Sequence, residues 1–260
     1  MTKKSTNFAA DIQKNVNMMR KTVIAGLLLL LVQGLQAAQK EDTFETPGGK
    51  KVVIHHIKHA SVYIEYDGKH IYIDPVGDLE PKTDFSLYPK ATILMVTHEH
   101  FDHYDDIALN KLMGARTAMY ANKVVRGKYT RGIAMVNGDS IVFSQDIKLW
   151  AVPAYNISEG REQFHPKGRD NGYILELDGL RIYLAGDTED IPEMADVKNI
   201  DIAFLPCNQP YTMTVDQLVN AAKIIKPRVL FPYHFSTTPI RQTIMKLKDT
   251  GIDVRIRDYK

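Results

Sequence analysis

The chain has 260 residues, 44% of them hydrophobic, which is enough to bury a large core and lacks the polar bias of a disordered chain. Its 33 basic and 31 acidic side chains leave a formal net charge of +2, so the balance gives no broad basic footprint for nucleic acid. Cys207 is the only cysteine; this excludes an intramolecular disulfide and a thiolate-only metal site, and beside Pro206 it reads as a small core residue.

The first forty residues differ in kind from the rest. Met18-Met19-Arg20-Lys21 leads into an apolar run over 23–32, then Gly34-Leu35-Gln36-Ala37-Ala38, ahead of the polar Gln39-Lys40-Glu41-Asp42. A charged stretch, a short apolar stretch and small residues in that order read as a secretory signal peptide over 1–38, with the folded domain expected over 50–260. The run falls short of the roughly 20 apolar residues a spanning helix needs. No cysteine follows it to carry a lipid. Leu35 two positions before Ala37 makes the cleavage zone imperfect and leaves an uncleaved anchor as the alternative. The polar stretch 1–17 is long for a leader's charged region, so Met18 or Met19 is a candidate start. On this reading the protein is exported to the periplasm or envelope, without stable membrane insertion once the leader is cleaved.

After Pro47-Gly48-Gly49, strands are expected over 51–57, 61–66 and 70–73, divided at His59-Ala60 and at the hairpin pair Asp67-Gly68. The third stops at Asp74-Pro75, where proline cannot continue an internal ladder. The apolar run 92–96 is too short for a helix and reads as a buried strand running into Thr97-His98-Glu99-His100. Ile107, Leu109, Leu112 and Met113 then mark a helix over 104–113, ended by Gly114.

The second half repeats the style. Strands are expected over 133–136, 140–143 and 147–152, with Asn137-Gly138-Asp139 as a turn. A long polar connection over 153–171 precedes a hairpin of 172–177 and 181–185 across Asp178-Gly179. A strand at 202–205, a helix over 215–225, a strand at 229–231 running into Pro232-Tyr233-His234, a helix over 238–247 and a strand over 251–256 complete the chain. Two strand-rich halves with interspersed helices give two sheets covered by helices or one large mixed sheet, and periodicity does not choose.

The segment His98-Glu99-His100-Phe101-Asp102-His103 places three of the chain's nine histidines and a carboxylate within six residues, after an apolar strand. Neutral imidazole and carboxylate are natural ligands for zinc, manganese or iron. Two other strand ends offer matching groups: Asp187 after Gly186, where glycine allows close backbone approach, and His234 after Tyr233.

With the strand-end Asp74 and the Ala185-Gly186-Asp187-Thr188 segment, this pattern resembles the metallo-beta-lactamase superfamily, in particular its small single-domain hydrolases like L-ascorbate-6-phosphate lactonase, over residues 51–257. The resemblance implies an α+β fold, a four-layer αββα sandwich of two mixed sheets flanked by helices, with two divalent ions, zinc or manganese, at one edge. It implies that His98 and His100 hold the first ion, that Asp102, His103 and His234 hold the second, and that Asp187 bridges both. Asp74 would orient a ligand.

One family element is altered. Where a third histidine for the first ion is expected, after the strand 147–152, the chain has Asn156. His165 in the polar connection could substitute; Asn156 itself, or a site holding one ion, are the alternatives. The implied chemistry is hydrolysis of a small ester, lactone or phosphoester by metal-activated water, with Asp102 orienting the water or moving its proton. His59 is a further candidate at the rim. Ser158, Arg161, Lys167 and Arg169, in the loop expected to border the pocket, would suit an anionic small-molecule substrate. The rival function is a degenerate metal-binding sensor or interaction domain without turnover.

Overall fold

Alternation builds the first sheet. In β2 (Lys51–Lys58) Val52, Ile54, His56 and Lys58 are buried while their odd-numbered neighbours are more open. This is the period-two pattern of a strand with one face in a core. The computed structural model describes Met18, Met19 and residues 40–259. The chain divides into units over Met1–Gln39 and Lys40–Lys260, and apart from those two methionines the expected leader lies outside the described residues. Among the described residues no helix is long and apolar enough to cross a membrane.

β1 (Glu41–Glu45), β2, β3 (Ser61–Tyr66) and β4 (Lys69–Ile73) form an antiparallel series, after which β5 (Ile93–Val96), β6 (Ala118–Ala121) and β7 (Ile133–Ala134) continue in parallel. The second sheet repeats the plan. β8 (Ser140–Ser144), β9 (Ile147–Ala154), β10 (Asp170–Leu177) and β11 (Leu180–Leu184) are antiparallel, and β12 (Ile202–Pro206), β13 (Val229–Tyr233) and β14 (Asp253–Val254) are parallel. The described residues therefore form two seven-stranded mixed sheets, not the single-sheet alternative.

Ile54, Ile64 and Ile71 from one sheet share a core with Leu175, Ile182 and Phe204 from the other. Outside the first sheet, α1 (Asp106–Leu112) and α2 (Lys123–Lys128) bury Leu109, Leu112 and Val125 against Tyr72 and Leu94. Outside the second, α3 (Val215–Ile225) and α4 (Gln242–Leu247) bury Leu218, Ala222 and Leu247 against Leu205 and Leu230. The expected αββα sandwich is what forms. Thr214 and Gln217 close a capping box at the start of α3, worth about 1 kcal/mol.

Three departures have local causes. The folded unit begins at Lys40 rather than at 50, because β1 adds to the sheet edge. The charged segment Glu41–Glu45 carries little strand signal; contacts at the far end of the chain hold it. Arg257 donates to both Asp42 carboxylate oxygens at 2.6 and 2.7 Å, Arg255 adds a bond of 3.0 Å, and His56 Nε2 donates at 2.9 Å. Strand β6 and helix α2 are too short for periodicity to announce. Helix α4 starts at Gln242 rather than 238, since turns at Phe235–Thr238 and Thr238–Ile240 precede it.

Candidate metal centre

The functional side chains sit where strands end. Asp74 follows β4, Thr97 and His98 follow β5, Gly186 and Asp187 follow β11, and His234 follows β13. His59 occupies the turn between β2 and β3. His59, Asp74 and His234 have φ of +46°, +46° and +47°. Such left-handed backbone costs a non-glycine residue of the order of 1–3 kcal/mol, a strain that packed strands can hold at a site. Gly186 also has φ of +65°, and a Cβ there would lie 2.8 Å from the Asn171 carbonyl oxygen. Glycine is thus required twice, and it lets Asp187 enter the site.

A first cluster comprises His98, His100 and His165, whose candidate ligand atoms lie within 4.8 Å of one another. Thr97 Oγ1 donates to Asp74 Oδ2 at 2.7 Å and receives the His98 Nδ1 proton at 2.9 Å. That leaves His98 Nε2 as the lone-pair nitrogen, 3.1 Å from His100 Nδ1. Burial pushes the His98 pKa well below the ordinary histidine value and lowers that of His100, so both rings stay neutral and able to ligate. His165 Nδ1 donates to Asp170 Oδ2 at 3.1 Å, turning its Nε2 toward Asp187 Oδ2 at 3.4 Å.

The second cluster comprises His59, Asp102, His103 and His234. His103 Nδ1 donates to Asp74 Oδ2 at 2.8 Å, so Nε2 faces the site, 3.2 Å from Asp187 Oδ1. Burial opposes a charge on His103, but the Asp187 and Asp74 carboxylates outweigh it and raise the pKa well above the ordinary value. His59 Nε2 lies 3.0 Å from Asp102 Oδ2, and its ring packs against His234 with centroids 3.8 Å apart. Burial and the neighbouring His234 push His59 down to about 4. Burial would raise Asp102, yet His234 and His59 bring it well below the usual carboxylate range.

Asp187 stands between the clusters. Its Oδ2 is 3.3 Å from His234 Nε2 and 3.4 Å from His165 Nε2, and a third grouping joins it to His98 and His103. Burial works to raise it, but His234 and His103 hold its pKa well below the ordinary value. Among the described residues, Asp187 Oδ1, His103 Nε2 and both ring nitrogens of His234 are buried without a hydrogen-bond partner. Buried polar groups are rarely left so. Near one another yet not aligned for hydrogen bonds, these atoms have the donor chemistry and convergence that fit divalent cations.

The structure gives Asn156 a different place from His165. Its side-chain nitrogen donates to the carbonyls of Arg161 and Tyr211 at 3.2 and 2.8 Å, and its backbone N–H donates to the His165 carbonyl at 2.9 Å. Glu189 accepts from the N–H groups of Ile157 and Ser158 at 2.8 and 2.6 Å. Together these contacts shape the loop that carries His165 to His98 and His100.

Before the centre lies a cavity of about 970 Å³ bordered by His59, His100, Asp102, His165 and Asp187. The expected loop residues do not border it: Ser158, Arg161, Lys167 and Arg169 are absent from its wall. Each cation is turned to a carboxylate instead, Arg161 toward Glu189, Lys167 to Glu193 and Arg169 to Asp170. Lysines that do border it are Lys58 and Lys128, neither anticipated from sequence. Also missed were Thr97 and Asp170, which orient His98 and His165. A carboxylate five residues beyond His165 was the available signal for Asp170, and it is weak alone.

Residues 53–234 match the family model described as "Beta-lactamase superfamily domain". A UPF0173 metal-dependent hydrolase of Pyrococcus furiosus is 34% identical over 192 residues, covering 70% of this chain and 83% of the relative. A Parabacteroides distasonis crystal structure, provisionally assigned as a metal-dependent hydrolase, superposes with a TM-score of 0.82 at 49% identity, covering 85% of this chain and 99% of the other. Igni18, a metallo hydrolase of Ignicoccus hospitalis, gives a TM-score of 0.67 at 26% identity, covering 80% and 95%.

Proposed function

We propose, from the premise that this chain belongs to the family of the beta-lactamase superfamily domain, that it is a metal-dependent hydrolase of a small ester, lactone or phosphoester. The observation that carries the reading is the placement of Asp187, buried between two histidine-rich clusters with an oxygen left unpaired and a cavity in front. Zinc or manganese at both clusters would acidify a water and polarise the bond to be cut. His98, His100 and His165 would hold the first ion, Asp102, His103 and His234 the second, and Asp187, placed between the clusters, would serve both. Asp74 fixes the His103 tautomer, as Asp170 does for His165. Asp102, steadied by His59 at 3.0 Å, would orient the attacking water.

The resemblance to L-ascorbate-6-phosphate lactonase-like enzymes makes lactones and phosphoesters the first substrates to try, since the fold itself does not name one. The leader adds an exported location to the proposal. Metal content and turnover on a panel of esters, lactones and phosphoesters test the function. Two bound ions with hydrolysis of one class are expected; two tightly bound ions without turnover of any of them would overturn the hydrolase reading.

A further inference from the structure

Lys58 is the last residue of β2, and β2 and β3 change register between His56 and Lys58. It continues the inward series of Val52, Ile54 and His56, so a lysine ends up where the preceding residues are core. The residue is only 2% exposed, yet it borders the cavity beside His59. Its ammonium donates to the carbonyl oxygens of Leu79 and Pro81. An ammonium has three donors, so one is left over. No carboxylate closes an ion pair with it among the described residues; Glu80, which exerts the largest attraction on it, is exposed. Burial accordingly lowers its pKa.

A buried cation without a counter-charge is costly unless something else neutralises it. The other carboxylate at the cavity wall outside the metal clusters, Glu99, is engaged by Arg169 at 3.4 Å and Asn122 at 3.3 Å. The wall also carries the apolar or aromatic Leu79, Phe101, Phe164, Tyr211 and Phe235, beside the polar Lys128, Asn208, Ser236 and Thr237. Phe164 and Tyr211 meet edge to face at 5.1 Å. The spare donor and the charge of the buried Lys58 match a monoanion, with the exposed Lys128 a second cation on the same wall, and the aromatic side chains match an apolar body.

We propose that Lys58 is a specificity-determining residue that receives a carboxylate of the substrate, so that the enzyme selects small carboxylate-bearing molecules with an apolar body. This rests on the hydrolase reading above and names its substrate class. The anion is received by a cation buried in β2 and not by Arg161, Lys167 or Arg169 of the 153–171 loop.

The test compares the binding of 4-phenylbutyrate and of its neutral amide by calorimetry, on the full chain with two equivalents of zinc. Wild type is expected to prefer the carboxylate by about 10- to 100-fold, the range for one hydrogen bond to a charged group. Lys58→Met should bring the two probes within about threefold with amide binding unchanged, while Lys58→Arg keeps the preference. If the preference survives in Lys58→Met, the metal centre or Lys128 is its source and the proposal falls. It falls equally if both probes weaken together, the mark of a lysine that only clasps residues 79–81. Should Lys58→Met not fold, Lys58→Gln, a neutral donor, decides on the same terms. Because binding is read without turnover, a panel on which nothing is hydrolysed refutes the hydrolase reading and leaves this measurement decisive for Lys58.

Discussion

The two histidine clusters sit side by side but are built differently. The second takes Asp102, His103 and His234 from segments that follow central strands, steadied by Asp74 and by the turn at His59. The first has two such residues, His98 and His100, and borrows its third ring, His165, from the connection between β9 and β10. Carboxylates enter the second cluster directly through Asp102, whereas the first has imidazoles alone, backed by Thr97 and Asp170. One cluster thus inherits its rigidity from the sheets, while the other depends on how a loop is pinned.

Removing what the clusters share should have the largest effect. Asp187→Ala takes away a carboxylate within 3.4 Å of rings in both, and metal content by mass spectrometry should drop from two ions per chain toward none. Activity should fall by more than the roughly 10- to 100-fold typical of outer partners. Unchanged stoichiometry would show that Asp187 is not the link.

Next comes His165→Ala, which should cost one ion and spare the other. Loss of both ions together would mean that the clusters are a single unit, and loss of neither would return the third position to Asn156. A paired comparison sharpens the contrast further. Asp170→Asn should weaken the first ion by about 10- to 100-fold in competition with a chelator, and Asp74→Asn should act mainly on the second. Equal effects of both variants on both ions would erase the distinction.

The smallest effect on the centre is expected from Asp42→Asn, which acts through the chain end, where Tyr259 O accepts from the His59 N–H at 2.9 Å. Burial would raise the Asp42 pKa, but His56 and Arg257 hold it well below the usual carboxylate value. A depressed carboxylate contributes its stability fully above its unfolded pKa, near 4, and loses it as the pH falls through the folded value. The melting-temperature gap between wild type and Asp42→Asn should therefore persist from about pH 7 to 5 and begin to narrow below about pH 4, closing only as the pH falls through the depressed folded value. A gap that stays constant down to pH 3 would show that the Asp42 charge contributes nothing.

The same contrast explains what could be read from the sequence. His98 to His103 are legible because one strand end delivers four ligand candidates in six residues, and Asp187 and His234 because apolar strands run into them. The strand-rich halves left two sheets or one large sheet open, and the layering followed from the resemblance carried by His98 to His103, Asp187 and His234. The choice between Asn156 and His165 stayed open because the loop's path is set by remote partners, the Glu189 carboxylate and the Tyr211 carbonyl. Arg161, Lys167 and Arg169 looked available for a substrate because their partners Glu189, Glu193 and Asp170 are chosen by folding. Lys58 was overlooked for the opposite reason: a lysine ending a strand reads as a solvated edge, and only tertiary packing buries it.

Anomalous scattering from crystals grown with zinc would locate the ions themselves. Two peaks are predicted, one among His98, His100 and His165 and one among Asp102, His103 and His234, with Asp187 reaching both. A single peak, or a first ion coordinated by Asn156 with His165 turned away, would contradict the account.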